Sequence, residues 1–190
     1  MPRIEPLARE DASEHEKTFS EMEDALGYVP NSFLTMARNP LTVKAVGAMM
    51  DAFWYTDDVD EETRRLVTFA YSHYAGSHYS SAHCAFGAEE RGLERAKILG
   101  IFDFDWSPIY DERERAILRL CRNSARIPSE VRDEDISALK AYYDDNTITY
   151  IVGMISMMAF LNKWNELLET TLEEQPANWA DKNLQTIGWR

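Results

Sequence analysis

The stretch of residues 60–93 constrains the fold more than any other part of the chain. Its first half carries apolar residues at the spacing of one helix face: Leu66, Val67, Ala70, Tyr71 and Tyr74. Gly76 follows as a helix stop, because glycine takes the left-handed conformation without steric cost. Ser77 then offers the hydroxyl of an N-cap for a second helix that ends at Gly92. The sequence therefore predicts two helices joined by a short break.

The start of the second helix collects reactive side chains. His78, His83 and Cys84 lie close together there, and the serines Ser77 and Ser80 stand at the first turn. A helix N-terminus carries partial positive charge, which stabilises thiolates and other anions. This helix start is therefore the candidate functional site.

The frame around these residues resembles the alkylhydroperoxidase D / carboxymuconolactone decarboxylase family. It consists of an Arg-Leu-Val sequence before the break and of four small residues: Gly76, Gly87, Ala88 and Gly92. Residues 29–40 resemble the entry of the peroxidase-related branch of that family, and residues 161–163 and 188–189 resemble its tail. The resemblance covers most of the chain. It implies an all-α, multi-helix bundle of the alkylhydroperoxidase D type.

The reactive residues of that family are replaced in this sequence. The family carries a glutamate, then a Cys-x-x-Cys at a helix start, then a histidine. The shared frame puts Arg65 at the glutamate position, Ser77 and Ser80 at the cysteine positions, and Cys84 at the histidine position, with His83 one residue early. Serine neither forms a low-pKa thiolate nor resolves a sulfenic acid, so the sequence predicts no two-cysteine peroxidase chemistry here.

The candidate catalytic residues are His83, Tyr79, Cys84, Ser80 and Ser77. Tyr79 and His83 are four residues apart and share a helix face, so a tyrosine-oriented histidine is a candidate general base. The alternative is a structural histidine. Cys84 is either a reactive thiol or a small buried side chain, and the same alternative holds for Cys121.

Arg65, His73 and His78 are the candidate substrate-binding residues. A buried arginine needs an anionic partner, which is either a protein acid such as Glu89 or Asp51, or a substrate carboxylate. His73, His78 and His83 follow each other at intervals of five, which does not bring them to one face of a continuous helix. No acid stands between them to complete a site. We therefore predict neither a metal nor a cofactor.

The charge of the chain limits its partners. The net charge is −13, and binding to nucleic acid or to an anionic membrane surface requires clustered basic residues instead. No apolar run follows the first residues as in a signal peptide, and no stretch is long enough to span a membrane. Two cysteines do not make a disulfide framework. These features predict a cytoplasmic protein that binds neither nucleic acid nor membranes.

We expect one all-α domain over residues 1–190, with a core motif region at 41–100 and a second helical half at 110–172. No stretch alternates as a strand would, and the periodicity predicts about eight or nine helices. The tail from Glu173 is polar, with Pro176, Trp179 and Trp189 as isolated anchors. The apolar face at 150–161 and the aromatic loop at 101–106 predict a homo-oligomer.

Two classes of function remain open from the sequence. The first is a cofactor-free enzyme that acts by acid–base chemistry on a small organic molecule, carboxylated or not, as a lyase, decarboxylase or isomerase. The second is a non-catalytic family member with a binding or oligomeric role. A residual thiol-dependent, peroxidase-like oxidoreductase using Cys84 is a further alternative.

Overall fold

The computed structural model describes residues 1–189, and these form ten α-helices and no strand. Three short 3-10 segments lie at Arg9–His15, Ile101–Asp103 and Gln185–Ile187. The helices are α1 (Glu16–Leu26), α2 (Asn31–Met36), α3 (Pro40–Phe53), α4 (Glu61–Tyr74), α5 (His78–Glu90), α6 (Arg95–Leu99), α7 (Glu112–Ser124), α8 (Asp133–Leu139), α9 (Asp145–Leu168) and α10 (Glu174–Asn183). The predicted all-α class is confirmed.

The predicted helix pair around Gly76 is confirmed as α4 and α5. The Asp60 carboxylate caps α4 by accepting a hydrogen bond from the Thr63 amide at 2.9 Å. Gly76 has φ +71°, the left-handed conformation that favours glycine. The Ser77 hydroxyl accepts from the Ser80 amide at 3.3 Å and so caps α5. These local signals fix where the candidate site begins.

Helix α4 lies at the centre of the molecule and packs against α5, α7 and α9. Its residues Leu66, Val67, Phe69 and Ala70 are completely buried. A second apolar cluster joins α1, α2 and α3. Partly buried side chains contact both clusters and make the interior continuous: Met49, Met50 and Leu161. Helix α5 packs against α4, α9 and α10, so its position is fixed from several sides.

The polar tail contains a helix that the sequence analysis did not anticipate. Helix α10 packs against α5, with Pro176 and Ala180 buried. Pro176 lies in the first turn of α10, where its missing N–H leaves no intrahelical hydrogen bond unmade. The helix begins at its N-cap residue Glu173. Its packing therefore brings that carboxylate against α5.

The two surfaces predicted for assembly are each partly exposed. In the 150–161 stretch of α9, Met154, Met157 and Met158 are buried within this chain, whereas Val152 and Phe160 are 42% and 39% exposed. In the aromatic loop Phe104 is buried, whereas Phe102 and Trp106 are 58% and 84% exposed. The loop therefore leaves apolar surface uncovered. Within residues 1–189, none of the helices combines the length and apolar character that crossing a membrane requires.

Candidate functional site

Helix α5 distributes the predicted site residues over three of its sides. Ser77 and His78 border a cavity at the start of the helix. Tyr79 and His83 face the start of α10, where both contact Glu173. Cys84 packs against the apolar core next to α4. The residues of α5 that were predicted to form one site therefore lie on different sides of the helix.

The cavity at the start of α5 has a volume of about 160 Å3. Seven residues line it: His73, Gly76, Ser77, His78, Ser81, Gly188 and Trp189. The His78 ring stacks on Trp189 with centroids 4.2 Å apart, and the Trp189 indole N–H donates to the His78 carbonyl at 2.9 Å. Burial lowers the pKa of His73 to about 4, so this imidazole is neutral near pH 7. Neither Arg65 nor His83 lines the cavity.

His83 is held at both ring nitrogens. Nε2 contacts Glu173 Oε2, and Nδ1 lies 3.2 Å from the Tyr28 hydroxyl. The side chains of His83 and Glu173 are only 16% and 11% exposed. Tyr79 stacks on the His83 ring with centroids 4.5 Å apart, while its hydroxyl donates to Glu173, so it orients the imidazole by packing.

Glu173 accepts further hydrogen bonds that keep it ionised. The Tyr79 hydroxyl donates to Oε1 at 2.8 Å, and the Asn31 amide donates to the same oxygen at 2.5 Å. Burial alone would raise the pKa of Glu173, but His83, Asn31 and Tyr79 together hold it below its usual value. Glu173 is therefore a carboxylate near pH 7.

The two tyrosines stay protonated. Burial and the negative charge of Glu173 raise the pKa of both Tyr28 and Tyr79 above the ordinary value. Because the Glu173 carboxylate can only accept, the proton of a neutral His83 ring lies on Nε2, and Nδ1 then accepts from the Tyr28 hydroxyl. This arrangement is a directed chain from carboxylate to imidazole to phenol, and it can move a proton to or from a molecule at Tyr28.

Neither Tyr28 nor Glu173 was predicted from the sequence as a site residue. Tyr28 follows the end of α1, and Glu173 stands 90 residues after His83. A helix-start signal was present in the acidic pair Glu173-Glu174 followed by Pro176. That signal would have located α10, although not the side of α5 on which it packs.

The surroundings of Cys84 favour the protonated thiol. Burial raises the pKa of its thiol to about 11, and the hydroxyls of Ser72 and Thr68 and the charge of Arg65 offset this only in part. Cys121 is also a free thiol; it donates to the Val67 carbonyl at 3.7 Å, and burial raises its pKa. No disulfide joins the two within residues 1–189.

The serines at the cysteine positions serve the helix itself. Ser77 and Ser80 are both buried, and the bond between the Ser77 hydroxyl and the Ser80 amide caps α5. In the part of the chain that the structure describes, no side-chain hydrogen bond links either hydroxyl to a histidine. Neither serine therefore has the adjacent base that would activate it as a nucleophile.

The Arg65 side chain is mostly buried and has one protein acid as its partner. Its Nε donates to Glu61 Oε1 at 2.7 Å, so the protein acid is Glu61 and not Glu89 or Asp51 as the sequence analysis considered. The guanidinium lies over the Trp54 ring, 4.8 Å from its centroid. Burial lowers the pKa of Arg65, and the Glu61 hydrogen bond opposes this change.

Solved structures of known proteins share this fold along nearly the whole chain. The debrominase Bmp8 is 30% identical to this chain, and the alignment covers 94% of this chain and 96% of that one. The TM-score is 0.87 for a cysteine-to-alanine variant of Bmp8 in complex with 2,3,4-tribromopyrrole. It is 0.86 for the apo protein. An uncharacterized peroxidase-related protein from Ralstonia eutropha JMP134, with an alkylhydroperoxidase D core, is 20% identical over 92% of this chain and 94% of that one, with a TM-score of 0.80.

The chain belongs to the alkylhydroperoxidase D-like family. No protein-family model matches its sequence. No curated protein matches it either. The predicted family resemblance is confirmed.

Proposed function

We propose that this protein is a cofactor-free enzyme that transfers a proton on a small organic molecule. Tyr28, His83 and Glu173 form its proton path. The observation that carries the proposal is the fixed imidazole, with Glu173 at one ring nitrogen and the Tyr28 hydroxyl 3.2 Å from the other. A carboxylate that fixes the tautomer of a histidine is the arrangement that general bases use in enzymes.

The proton moves along this path in a balanced sequence. The Tyr28 oxygen removes a proton from a carbon of the substrate while its own proton passes to His83 Nδ1. The substrate then carries the negative charge, and the His83 cation is stabilised by the Glu173 carboxylate through Nε2–H. Return of a proton by the same path to the same carbon gives exchange, and return to another carbon gives isomerisation. When His83 begins as the cation, its Nδ1 proton passes through Tyr28 to a carbon that bears a carboxylate. The bond to the carboxylate then breaks, its electrons stay on the carbon, CO2 leaves, and a proton from solvent restores the His83 cation.

The debrominase likeness supports a small, electron-rich ring as substrate. Bmp8 is described in complex with 2,3,4-tribromopyrrole. On an electron-rich ring the order is reversed. The His83 cation first delivers a proton through Tyr28 to a ring carbon, and the same carbon then returns a proton to the path; neither step needs a cofactor. We therefore take small pyrroles as the first compounds to test.

The same likeness favours one competing candidate, in which a thiol performs the chemistry. Replacing bromine by hydrogen on a ring carbon and releasing bromide requires two electrons and a proton. Cys84 and an external thiol would supply them by forming a mixed disulfide. The raised pKa of Cys84 opposes this candidate, because the thiolate is the reactive form.

The test is hydrogen–deuterium exchange at the ring carbons of pyrrole-2-carboxylate in D2O, followed by proton NMR. We expect exchange faster than in buffer, and a loss of roughly 100-fold or more in His83→Gln, since positioned general bases contribute about 10² to 10⁴ in rate. Tyr28→Phe should lose as much. Tyr55→Phe, at an exposed tyrosine, is the matched control.

The outcomes separate the candidates. Exchange that survives in His83→Gln contradicts the proposed path. Bromide release from 2,3,4-tribromopyrrole with an added thiol, abolished by Cys84→Ser, would favour the thiol candidate. A wild-type protein without activity toward pyrroles, halopyrroles or carboxylated lactones would favour the non-catalytic role.

A further inference from the structure

Three arginines surround a single carboxylate at the start of α4. Glu61 accepts hydrogen bonds from Arg64 at 2.8 Å and from Arg65 at 2.7 Å, and its Oε1 lies 4.0 Å from Nε of Arg91. Glu61 is half exposed, whereas the side chains of Arg64 and Arg65 are mostly buried. Positive charge is therefore in local excess, in a chain whose net charge is −13.

Two of these guanidinium groups converge over one glycine of α5. A Cβ added to Gly87 would lie 3.9 Å from Nη1 of Arg65 and 3.9 Å from Nη1 of Arg91. Gly87 follows His83 by four residues, so the two lie on the same side of α5, about 6 Å apart along the helix. The paired guanidinium groups therefore stand one helical turn from the imidazole of the proton path.

The donors of Arg65 are not all used by the protein. Nε is bound to Glu61, but among residues 1–189 neither Nη1 nor Nη2 of Arg65 forms an ion pair with a carboxylate. Arg91 donates through Nη2 to the Ala25 carbonyl of α1 at 3.0 Å and through Nη1 to the Gly87 carbonyl at 3.5 Å, and these two bonds hold its guanidinium beside Gly87. A buried guanidinium with free terminal donors is a strong partner for a carboxylate, which it can bind through two parallel hydrogen bonds.

We infer that Arg65 and Arg91 bind the carboxylate of a small substrate between them, over Gly87. The carbon skeleton then extends one turn along α5 and reaches Tyr28 and His83. That distance suits a five- or six-membered ring bearing one carboxylate. The substrate class is therefore a small ring carboxylate. The reaction of this substrate rests on the proposed proton transfer, whereas its binding by the two arginines does not.

The first test compares a charged ligand with its neutral isostere by titration calorimetry. The wild-type protein should bind pyrrole-2-carboxylate at least about tenfold more tightly than pyrrole-2-carboxamide, because the amide cannot accept at both positions. Arg65→Lys and Arg91→Lys should each weaken carboxylate binding about 10- to 100-fold and leave amide binding unchanged. Arg126→Lys, at an exposed arginine beyond α7, is the matched control.

A second variant tests the position of the anion. The contact distance of 3.9 Å is ordinary, so Gly87→Ala should fold at least as stably as the wild type, since alanine favours a helix over glycine. Its methyl group should nevertheless occupy space between the two guanidinium groups and weaken carboxylate binding about tenfold. Gly47→Ala in α3, where nothing lies within 4 Å, should leave binding unchanged.

The outcomes distinguish this inference from the proposed function. Equal affinity for acid and amide, or no binding of the carboxylate at millimolar concentration, overturns the arginine site. Unchanged affinity in Gly87→Ala overturns its location. His83→Gln should retain carboxylate selectivity but lose proton exchange. Selective binding without exchange in the wild type would therefore overturn only the proton path.

Discussion

Replacing Glu173 by glutamine should reverse the polarity of the His83 ring without removing any heavy atom. The glutamine oxygen can still accept from the Tyr79 hydroxyl and the Asn31 amide, which both bind Oε1. Its amide group then points at Nε2, which must become an acceptor. The ring proton therefore moves to Nδ1 and donates to the Tyr28 oxygen, and the tyrosine can no longer deliver its proton to the imidazole.

The expected losses follow from the contacts of Glu173. All three hydrogen bonds can be kept, but none of them then has an ionised acceptor, so the free energy of unfolding at pH 7 should fall by about 1–2 kcal/mol. Proton transfer should fall far more, since an amide in place of the tautomer-fixing carboxylate lowers kcat by about 10⁴-fold in serine proteases. The fold should remain intact.

The pH dependence of stability gives a second measurement. The pKa of Glu173 is lowered in the folded protein, so its contribution is complete above the unfolded value of about 4.3 and is lost as the pH falls below that. The difference in unfolding free energy between wild type and Glu173→Gln should therefore be constant near neutrality and narrow below about pH 4. Urea unfolding at several pH values measures it.

The decisive assay is nitrogen-15 NMR of the histidine ring, which distinguishes the Nε2–H and Nδ1–H tautomers and needs no substrate. The wild type should show Nε2–H at His83, and Glu173→Gln should show Nδ1–H. Glu174→Gln removes the same charge at the next, exposed residue and should change nothing. The same tautomer in wild type and Glu173→Gln would refute the reasoning.

Three further predictions address the thiols, the assembly and the packing. The protein should not turn over hydroperoxides with a dithiol reductant, and steady turnover that disappears in Cys84→Ser alone would instead reveal a one-cysteine mechanism. Light scattering should give a multiple of 21.9 kDa, because Phe102 and Trp106 leave apolar surface uncovered, and a monomer mass would contradict this. Gly153→Ala should lower the free energy of unfolding, measured with urea, by about 1–3 kcal/mol, because its Cβ would lie 2.7 Å from Cγ of Phe53. Gly47→Ala is the control and should not lower it. Equal stabilities of the two variants would count against tight packing of α3 on α9.

Local signals made much of the fold predictable. Helix α4 begins at the Asp60 cap and ends at the Gly76 break, and α5 begins at the Ser77 cap. Each of these signals depends only on residues within one helical turn. Helix α10 was not predicted, because its residues are mostly polar and its burial depends on α5. The sequence also left open the acid that binds Arg65, although Glu61 stands one turn earlier on the same helix.

The candidate site was predictable only where one helix carries it. His83 and Tyr79 were identified because their spacing of four places them on one side of α5. Tyr28 and Glu173 reach the same imidazole from segments 55 and 90 residues away, and no periodicity relates such positions. Their contacts depend on how α10 and the end of α1 pack on α5, which is a property of the folded chain.

A shift of one residue along α5 separates two chemical environments. Cys84, at the family's histidine position, lies near Thr68 and Ser72 of α4, where burial raises its pKa to about 11. His83 is rotated by about 100° toward α10 and the loop after α1, where Glu173 keeps its ring oriented. On the proton-transfer proposal, replacing the dithiol by serines therefore leaves the neighbouring side of the helix able to act. The acid on that side is Glu173, at the start of α10, whereas Arg65 occupies the position of the family's glutamate.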